Sequence, residues 1–527
     1  MRVRSVAIAG LVGVLLAVGL AAPAVGRPEG APPDPGARCR GRELCVGAAK
    51  VAVSPEARFV SGVPEKRLFA LPRRQRFHLG GFGINPLQGL PDPDGSLSAA
   101  LTAPAARSVY VGSHGPEPIS VRAMVLTEPH GATVALVTLD AVGAGNVVQA
   151  ELTRAVAAAT GIAPADVLFG QTHTHAGPDL QGLWGGVPRG WLVEQLYPAA
   201  VAAVRQALAG AVPARLDVRS GLLDEFNSYR RPKTTPTADT DRRSTLVQAR
   251  AVDGGDVVAS LLQYNAHPTT INEAVRIPHP DYVLGLTDWL ESHGGGTALY
   301  FNGPIADASP SGSRPGCSPG PDGAYGTVRC RGEGIAAATL AFPASDPLPP
   351  TLEVRHAPVV LPVTNPLILG AAALGTFRRY SDLAPIDTTT LPPLGAATVT
   401  ILRELTPGTL AVTTTVSRIT IGGSARGIEL VTIPGEATGT FGTWVRGLAS
   451  RHSHVLLLGL THDSLGYIVP EREFTYVDPR GDTGFLLPFT SYEEFVSLGP
   501  LTAPLLRAEG YAPLFGADPA RALQPPP

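Results

Sequence analysis

Cysteine is scarce in this 527-residue chain: there are four, Cys39, Cys45, Cys317 and Cys330, and none forms a C-x-x-C pair. That removes a cysteine-built zinc site from consideration. Excess positive charge is missing too. The 42 Lys and Arg stand against 44 Asp and Glu, for a formal net charge of −2, and no basic run occurs. Nucleic acid is therefore excluded as the main partner. Beyond the first two dozen residues no apolar run is long enough to span a bilayer. Low-complexity tracts are also lacking. The 60 glycines and 52 prolines are scattered among apolar runs, which describes a loop-rich globular protein rather than a disordered one.

The N-terminus has its own pattern. Arg2 and Arg4 precede an apolar stretch from Val6 to Ala22, and Ala22-Pro23-Ala24 offers a small-residue cleavage site. This reads as a secretory signal peptide over residues 1–26, with an uncleaved anchor as the alternative. Residues 27–45, rich in Pro, Gly and charge, read as a flexible lead-in. A single catalytic domain is expected over 46–515, followed by a Pro-rich tail at 516–527. In an oxidising compartment the simplest pairing of the cysteines closes two short loops, Cys39–Cys45 and Cys317–Cys330, among three possible connectivities.

Through the domain, strand-length apolar runs alternate with segments of helical period. Thr133–Leu139, Val167–Phe169, Val257–Tyr264, Thr297–Phe301, Ile428–Ile433 and Val455–Leu460 read as strands. Val147–Ala159, ending at Gly161, Trp191–Leu208, with a kink or boundary at Pro198, and Gly439–Ser450 read as helices. The Thr-, Val- and Pro-rich stretch from Leu352 to Ile421 suits an antiparallel layer. The fold class is α/β, with mixed sheets, flanking helices and a site at strand carboxyl ends.

The most informative segment is Gln171-Thr172-His173-Thr174-His175-Ala176-Gly177-Pro178. In an extended backbone, residues i and i+2 share a side, so two imidazoles would project together into a cleft above the strand. Imidazole is the commonest protein ligand for zinc-like ions. Other strand-like runs also end in polar residues: His267, then Asn302 with Asp307-Ala308-Ser309-Pro310, then Pro434-Gly435-Glu436, then His462, Asp463 and Tyr467. Each has a plain structural reading. His267 would be a bonded loop residue, Glu436 a helix cap, Tyr467 core, and Ser309 a turn residue. Gly316-Cys317-Ser318-Pro319-Gly320 fits the G-x-S-x-G nucleophile elbow, but it lies in a Gly/Pro loop with no strand before it and is set aside.

Taken in order, these residues resemble the catalytic domain of the neutral/alkaline (non-lysosomal) ceramidases, which are secreted or surface zinc amidases. The match runs over about residues 46–505. Thr172-His173-Thr174-His175-Ala176-Gly177-Pro178 is similar to the family's T-H-T-H-S-G-P, and Pro434-Gly435-Glu436 to its P-G-E. Gly466-Tyr467 is similar to its G-Y, and Asp307-Ala308-Ser309-Pro310 to its D-V-S-P. Softer matches are Tyr229-Arg230-Arg231-Pro232 to N-R-S-P and Tyr492-Glu493-Glu494 to Y-E-G. The family's C-terminal immunoglobulin-like domain has no counterpart in the match.

The resemblance implies one Zn²⁺ held by His173, His267, Glu436 and Tyr467, with His175, Arg230, Tyr492 and Ser309 as catalytic residues. It also implies cleavage of the N-acyl bond of a ceramide-like lipid or other N-acyl amine, presented at a membrane surface, with no obligate protein partner. Ser309 is either a nucleophile or an orienting group, and a metal-activated water favours the second role. The altered residues around Ser309 keep two other readings in view. One is a related metal-dependent amidase or esterase with another acyl substrate. The other is a catalytically silent surface-binding homologue.

Overall fold

Val121, Ala123 and Val125 alternate with Met124 and Leu126 along one strand, and all five are buried. Both faces of that strand must therefore meet apolar layers, and they do. The computed structural model describes residues 42–56, 77–81, 107–109 and 119–522, with breaks at 232–238, 272–276, 369–383, 386–409 and 475–491 and shorter ones elsewhere.

The larger sheet is built from β1 (Leu44–Ala52), β2 (Ser120–Thr127), β3 (Thr133–Leu139), β4 (Val167–Gln171), β5 (Val212–Leu222), β6 (Arg243–Ala251), β7 (Val257–Tyr264) and β8 (Thr297–Asn302). Its order is β8-β7-β6-β5-β1-β2-β3-β4. The interior pairs are antiparallel, whereas β3/β4 and β7/β8, one at each edge, are parallel. A parallel pair needs a crossover. Helix α1 (Asn146–Thr160) supplies the first and α3 (Tyr282–His293) the second. Helices α1, α2 (Tyr197–Ala209), α3 and α4 (Ala324–Leu340) cover one face of this sheet, packing on residues such as Val137, Phe169, Leu262 and Tyr300.

The other face carries Leu136, Leu168, Leu261, Leu299 and Phe301. It packs on Ile419, Leu430, Leu456 and Leu458 of a second sheet. That sheet runs β9 (Leu352–Pro362), β10 (Leu410–Ile421), β11 (Ile428–Thr432), β12 (His454–Leu458). β9 and β10 form the expected antiparallel layer, and β11/β12 are parallel, joined through helix α5 (Gly439–Leu448). The architecture is thus helices, sheet, sheet, helices. Each fully buried Leu, Ile or Phe at the sheet–sheet contact stabilises the sandwich by about 1.5–3 kcal/mol.

Element ends depart from the sequence reading in instructive ways. The first strand begins at Leu44, paired to Ala214, inside the expected lead-in. The long helix before Leu208 is divided: Leu192–Leu196 winds as a π turn directly ahead of Pro198, which has no N–H to give the preceding turn. β12 ends at Leu458 rather than Leu460, because Leu460 takes a left-handed backbone (φ 50) that no strand continues through. A one-turn helix, Pro519–Ala522, lies in the expected tail.

Cys317 and Cys330 are bridged. Cys45 is also disulfide-bonded, and its expected partner Cys39 lies outside the described residues. So does the expected signal peptide. Among the described residues no helix is long and apolar enough to cross a membrane.

Candidate metal centre

The two sheets bring strand ends together. The Asn302 side chain, closing β8, donates to the Gln171 carbonyl at the end of β4 (2.9 Å), and Gly459 after β12 donates to the Asn302 carbonyl (2.7 Å). The turn after β12 then stitches two site segments to each other. Thr461 and Leu460 N–H groups reach the Ile433 and Gly435 carbonyls, while Gln171 and His462 N–H groups reach Leu460 and Phe169. The carboxyl ends of β4, β7, β8, β11 and β12 converge in consequence.

The histidine pair does not sit on an extended strand. β4 ends at Gln171, and His173 takes a left-handed conformation (φ 63). Such backbone is uncommon for a side chain with a Cβ and recurs at active sites. The sequence argument from strand alternation is corrected here: a tight left-handed turn, not the pleat, brings the two rings together. His175 N–H then bonds the Pro268 carbonyl (3.1 Å), drawing the His267 segment alongside. The turn leaves no room beside His175, since a Cβ at Gly81 (φ 106) would lie 2.5 Å from its ring.

His173 Nε2 lies 3.2 Å from His175 Nε2 and 3.2 Å from Glu436 Oε2, and His267 Nε2 lies 3.0 Å from the same oxygen. All four side chains are buried. The Nδ1 atoms of His173 and His267 face the Val142 and Ala308 carbonyls. A carbonyl only accepts, so each Nδ1 carries a proton, and in the neutral ring each Nε2 presents a bare lone pair. Burial, followed by the Arg230 charge, pushes His267 down to about 3, which keeps it neutral.

Acceptors therefore face acceptors at 3.0–3.2 Å, an arrangement that calls for a cation among them. The spacing also fits one. Four donors held at ~2.0–2.1 Å around a tetrahedral zinc ion lie roughly 3.3 Å apart. His173, His175 and His267 form a group able to hold a metal ion.

The remaining expected residues fall into place unequally. Glu436 and Tyr467 are cross-strand partners in a two-residue parallel ladder. Thr438, not Glu436, caps α5, its hydroxyl accepting from Phe441 N–H. The Tyr467 ring stacks over His267 with centroids 6.4 Å apart, and its hydroxyl accepts from Arg230 Nη2 at 3.0 Å. Arg230 also donates to the Ala306 carbonyl and pairs with Glu493 at 3.3 Å. Ser309 lies on the short ladder Asn227–Tyr229/Ala308–Pro310, opposite Ser228. It is not among the residues lining the cavity, whereas its neighbour Ala308 orients His267. Tyr492 opens a short helix, Tyr492–Phe495, and its side chain lies outside the described residues.

A cavity of about 510 Å³, counting space open to solvent, fronts the cluster. His173, His175, Glu436 and Tyr467 form its polar floor. Val142, Trp184, Ile368, Leu465, Val496 and Leu498 form an apolar wall. The sequence reading missed this wall, because single apolar residues from five separate segments leave no local pattern. It also missed Glu493, which bridges Arg230 and Arg231.

A second polar line runs from Asp166 through His356 and Ser417 to His462, with contacts of 3.0, 2.7 and 2.8 Å. It has the residue order of a serine-hydrolase triad. Ser417 is fully buried, so no substrate reaches its hydroxyl, and the line acts as a tie between β9, β10 and the turn after β12.

The fold has counterparts among solved structures. The chain matches the crystal structure of neutral ceramidase from Pseudomonas aeruginosa with a TM-score of 0.62 at 17% identity, covering 91% of this chain and 75% of that one. The chain has the neutral ceramidase fold. A ceramidase complexed with C2 is matched at a TM-score of 0.61 and 16% identity, covering 92% of this chain and 78% of that one. No protein-family model and no curated protein matches the sequence. The ceramidase fold expected from the ordered motifs is therefore borne out.

Proposed function

We propose that this protein is an exported, zinc-dependent amide hydrolase that cleaves the N-acyl bond of ceramide-like lipids. The observation that carries the reading is the set of inward-facing acceptors, His173, His267 and Glu436, beneath an apolar-walled cavity. Imidazole nitrogens with one carboxylate suit zinc better than magnesium or calcium. In this reading His173, His267, Glu436 and Tyr467 hold the ion. When bound, zinc supplies Lewis acidity, lowering the pKa of water towards ~7 and polarising a carbonyl.

The chain's own residues do the rest. His175, 3.2 Å from His173, holds a proton for the departing amine. Arg230, fixed by the Ala306 carbonyl and Glu493, keeps a positive charge against the Tyr467 hydroxyl and beside the developing oxyanion. Tyr492 is the expected second donor. Ser309 orients rather than attacks, consistent with its place off the cavity wall. The apolar wall accepts the hydrocarbon part of the substrate and excludes water. Export accords with the Cys317–Cys330 bridge, since disulfides persist in oxidising compartments.

The test is metal content alongside turnover. Purified protein should hold about one zinc per chain and release fatty acid from an N-acylsphingosine, and His173→Ala should lose both. Full activity in metal-stripped protein would refute the reading. A panel including N-acyl amino acids and simple esters separates the amidase from an esterase relative on the same fold.

A further inference from the structure

Gln181 lines the cavity, yet its amide is not free to turn. Its Nε2 donates to the Ser464 carbonyl at 2.9 Å and to the Ser464 hydroxyl at 2.7 Å, which uses both amide hydrogens. A backbone carbonyl cannot donate, so the nitrogen must face Ser464 and the amide orientation is fixed. The support is rigid on every side. Asp179, fully buried, takes the N–H groups of Gln181, Trp184 and Gly186 at 3.1, 2.7 and 2.8 Å. Ser464 N–H is held by Asp463 at 2.8 Å. Behind them, a Cβ at Gly143 would lie 2.3 Å from the Ser464 hydroxyl and 3.1 Å from the Gln181 amide carbon, so only glycine permits this packing.

With both hydrogens committed, the amide oxygen is what the Gln181 side chain has left to offer the cavity, which it lines together with Trp184, Leu465, His173 and His175. We infer that Gln181 is a specificity-determining residue whose oxygen accepts a hydrogen bond from an N–H or O–H of the substrate. This rests on the hydrolase reading and narrows it. The preferred substrate carries a donor, either the amide N–H itself or a hydroxyl on the amine side, next to its hydrocarbon chain. Simple esters offer no such group and lose this contact. An acceptor in a largely desolvated wall rejects ligands that cannot satisfy it.

Binding, not turnover, tests this directly. Three long-chain ligands are titrated calorimetrically into full-length, metal-stripped protein: a hydroxyl-bearing secondary amide, its N-methyl amide, and its O-methyl ether. Wild type should bind one of the two blocked ligands roughly 10- to 100-fold more weakly than the parent, and which one it is identifies the donor. Gln181→Leu should lose that discrimination while keeping any steric effect of the added methyl. Equal affinity for all three in wild type, no binding by any, or unchanged discrimination in Gln181→Leu would overturn the assignment. The wild-type comparison stands even if the variant fails to fold. Turnover of the same ligands by zinc-loaded protein tests the hydrolase reading separately. A binding preference without hydrolysis would leave Gln181 assigned and the reaction wrong.

Discussion

Zinc should stabilise this protein measurably, and His267→Ala should abolish the effect. A ligand that binds only the folded state adds RT ln(1 + [L]/Kd), or about 4.1 kcal/mol at a free concentration of ~1,000 Kd. Unfolding entropy near 60 °C is roughly 2.1 cal/mol/K per residue, so this 527-residue chain changes stability by about 1.1 kcal/mol per degree near its midpoint. The expected shift is therefore about 4 °C. Differential scanning fluorimetry on metal-stripped protein, with and without buffered zinc, reads it. His267 is fully buried, so its truncation also lowers the metal-free midpoint by leaving a cavity. The zinc-dependent increment, not the baseline, is the quantity to compare. Magnesium and calcium at equal concentration should give little shift, because two of the inward-facing donors are imidazole nitrogens. An equal increment in wild type and His267→Ala, or none in either, would refute the argument that these acceptors face one another in order to share a cation.

Other outcomes follow from the same geometry. His175→Ala should keep about one zinc per chain while turnover falls ~10²–10⁴-fold, separating a proton donor from the ligand His173. Ser309→Ala should leave turnover nearly intact, whereas loss of a covalent nucleophile would lower it ~10⁶-fold. Trp184→Ala removes a buried face of the cavity, so KM for long acyl chains should rise roughly tenfold or more, with little change for short ones. Burial depresses His462 from 6.5 to about 3, so the unfolded chain binds the extra proton. Its contribution is present above pH 6.5 and is lost as pH falls towards 3, at about 1.4 kcal/mol per pH unit. His462→Asn, whose side chain tolerates the left-handed backbone, should flatten the chemical-denaturation profile between pH 6.5 and 4 by that slope, and an unchanged profile would rule the argument out.

The strands were legible wherever burial on both faces produced continuous apolar runs, as at Thr133–Leu139 and Val257–Tyr264. The helices were legible where one stripe packed, as in α1, which ends at Gly161 where the reading put it. What the pattern could not give was the order of strands in space. Both parallel edge pairs, β3/β4 and β7/β8, look alike in sequence, and it is long-range contacts such as the bond from Asn302 to Gln171 that show opposite edges of one sheet curling to meet. A side-chain amide meeting a backbone carbonyl 131 residues away leaves no periodic trace.

The site shows a different limit. Donor types were readable from the order of polar strand ends along the chain, since each residue taken singly had a plain structural reading. Their roles were not. His175 was expected to act beside the metal, and the structure sets its Nε2 as near to His173 as Glu436 is, at 3.2 Å. The cause is the left-handed turn at His173, which an alternation argument cannot anticipate, since it assumes extended backbone throughout. The turn has a cost, about 1–3 kcal/mol of local strain, and the surrounding bonds over-determine it. His173 is pinned by the Val142 carbonyl, Thr174 by the His279 carbonyl, and His175 by the Pro268 carbonyl. Three consecutive residues, each tied to a different distant segment, hold a conformation the local sequence would not choose. That is why the motif's imidazole donors could be read from its letters, while its geometry belongs to the fold.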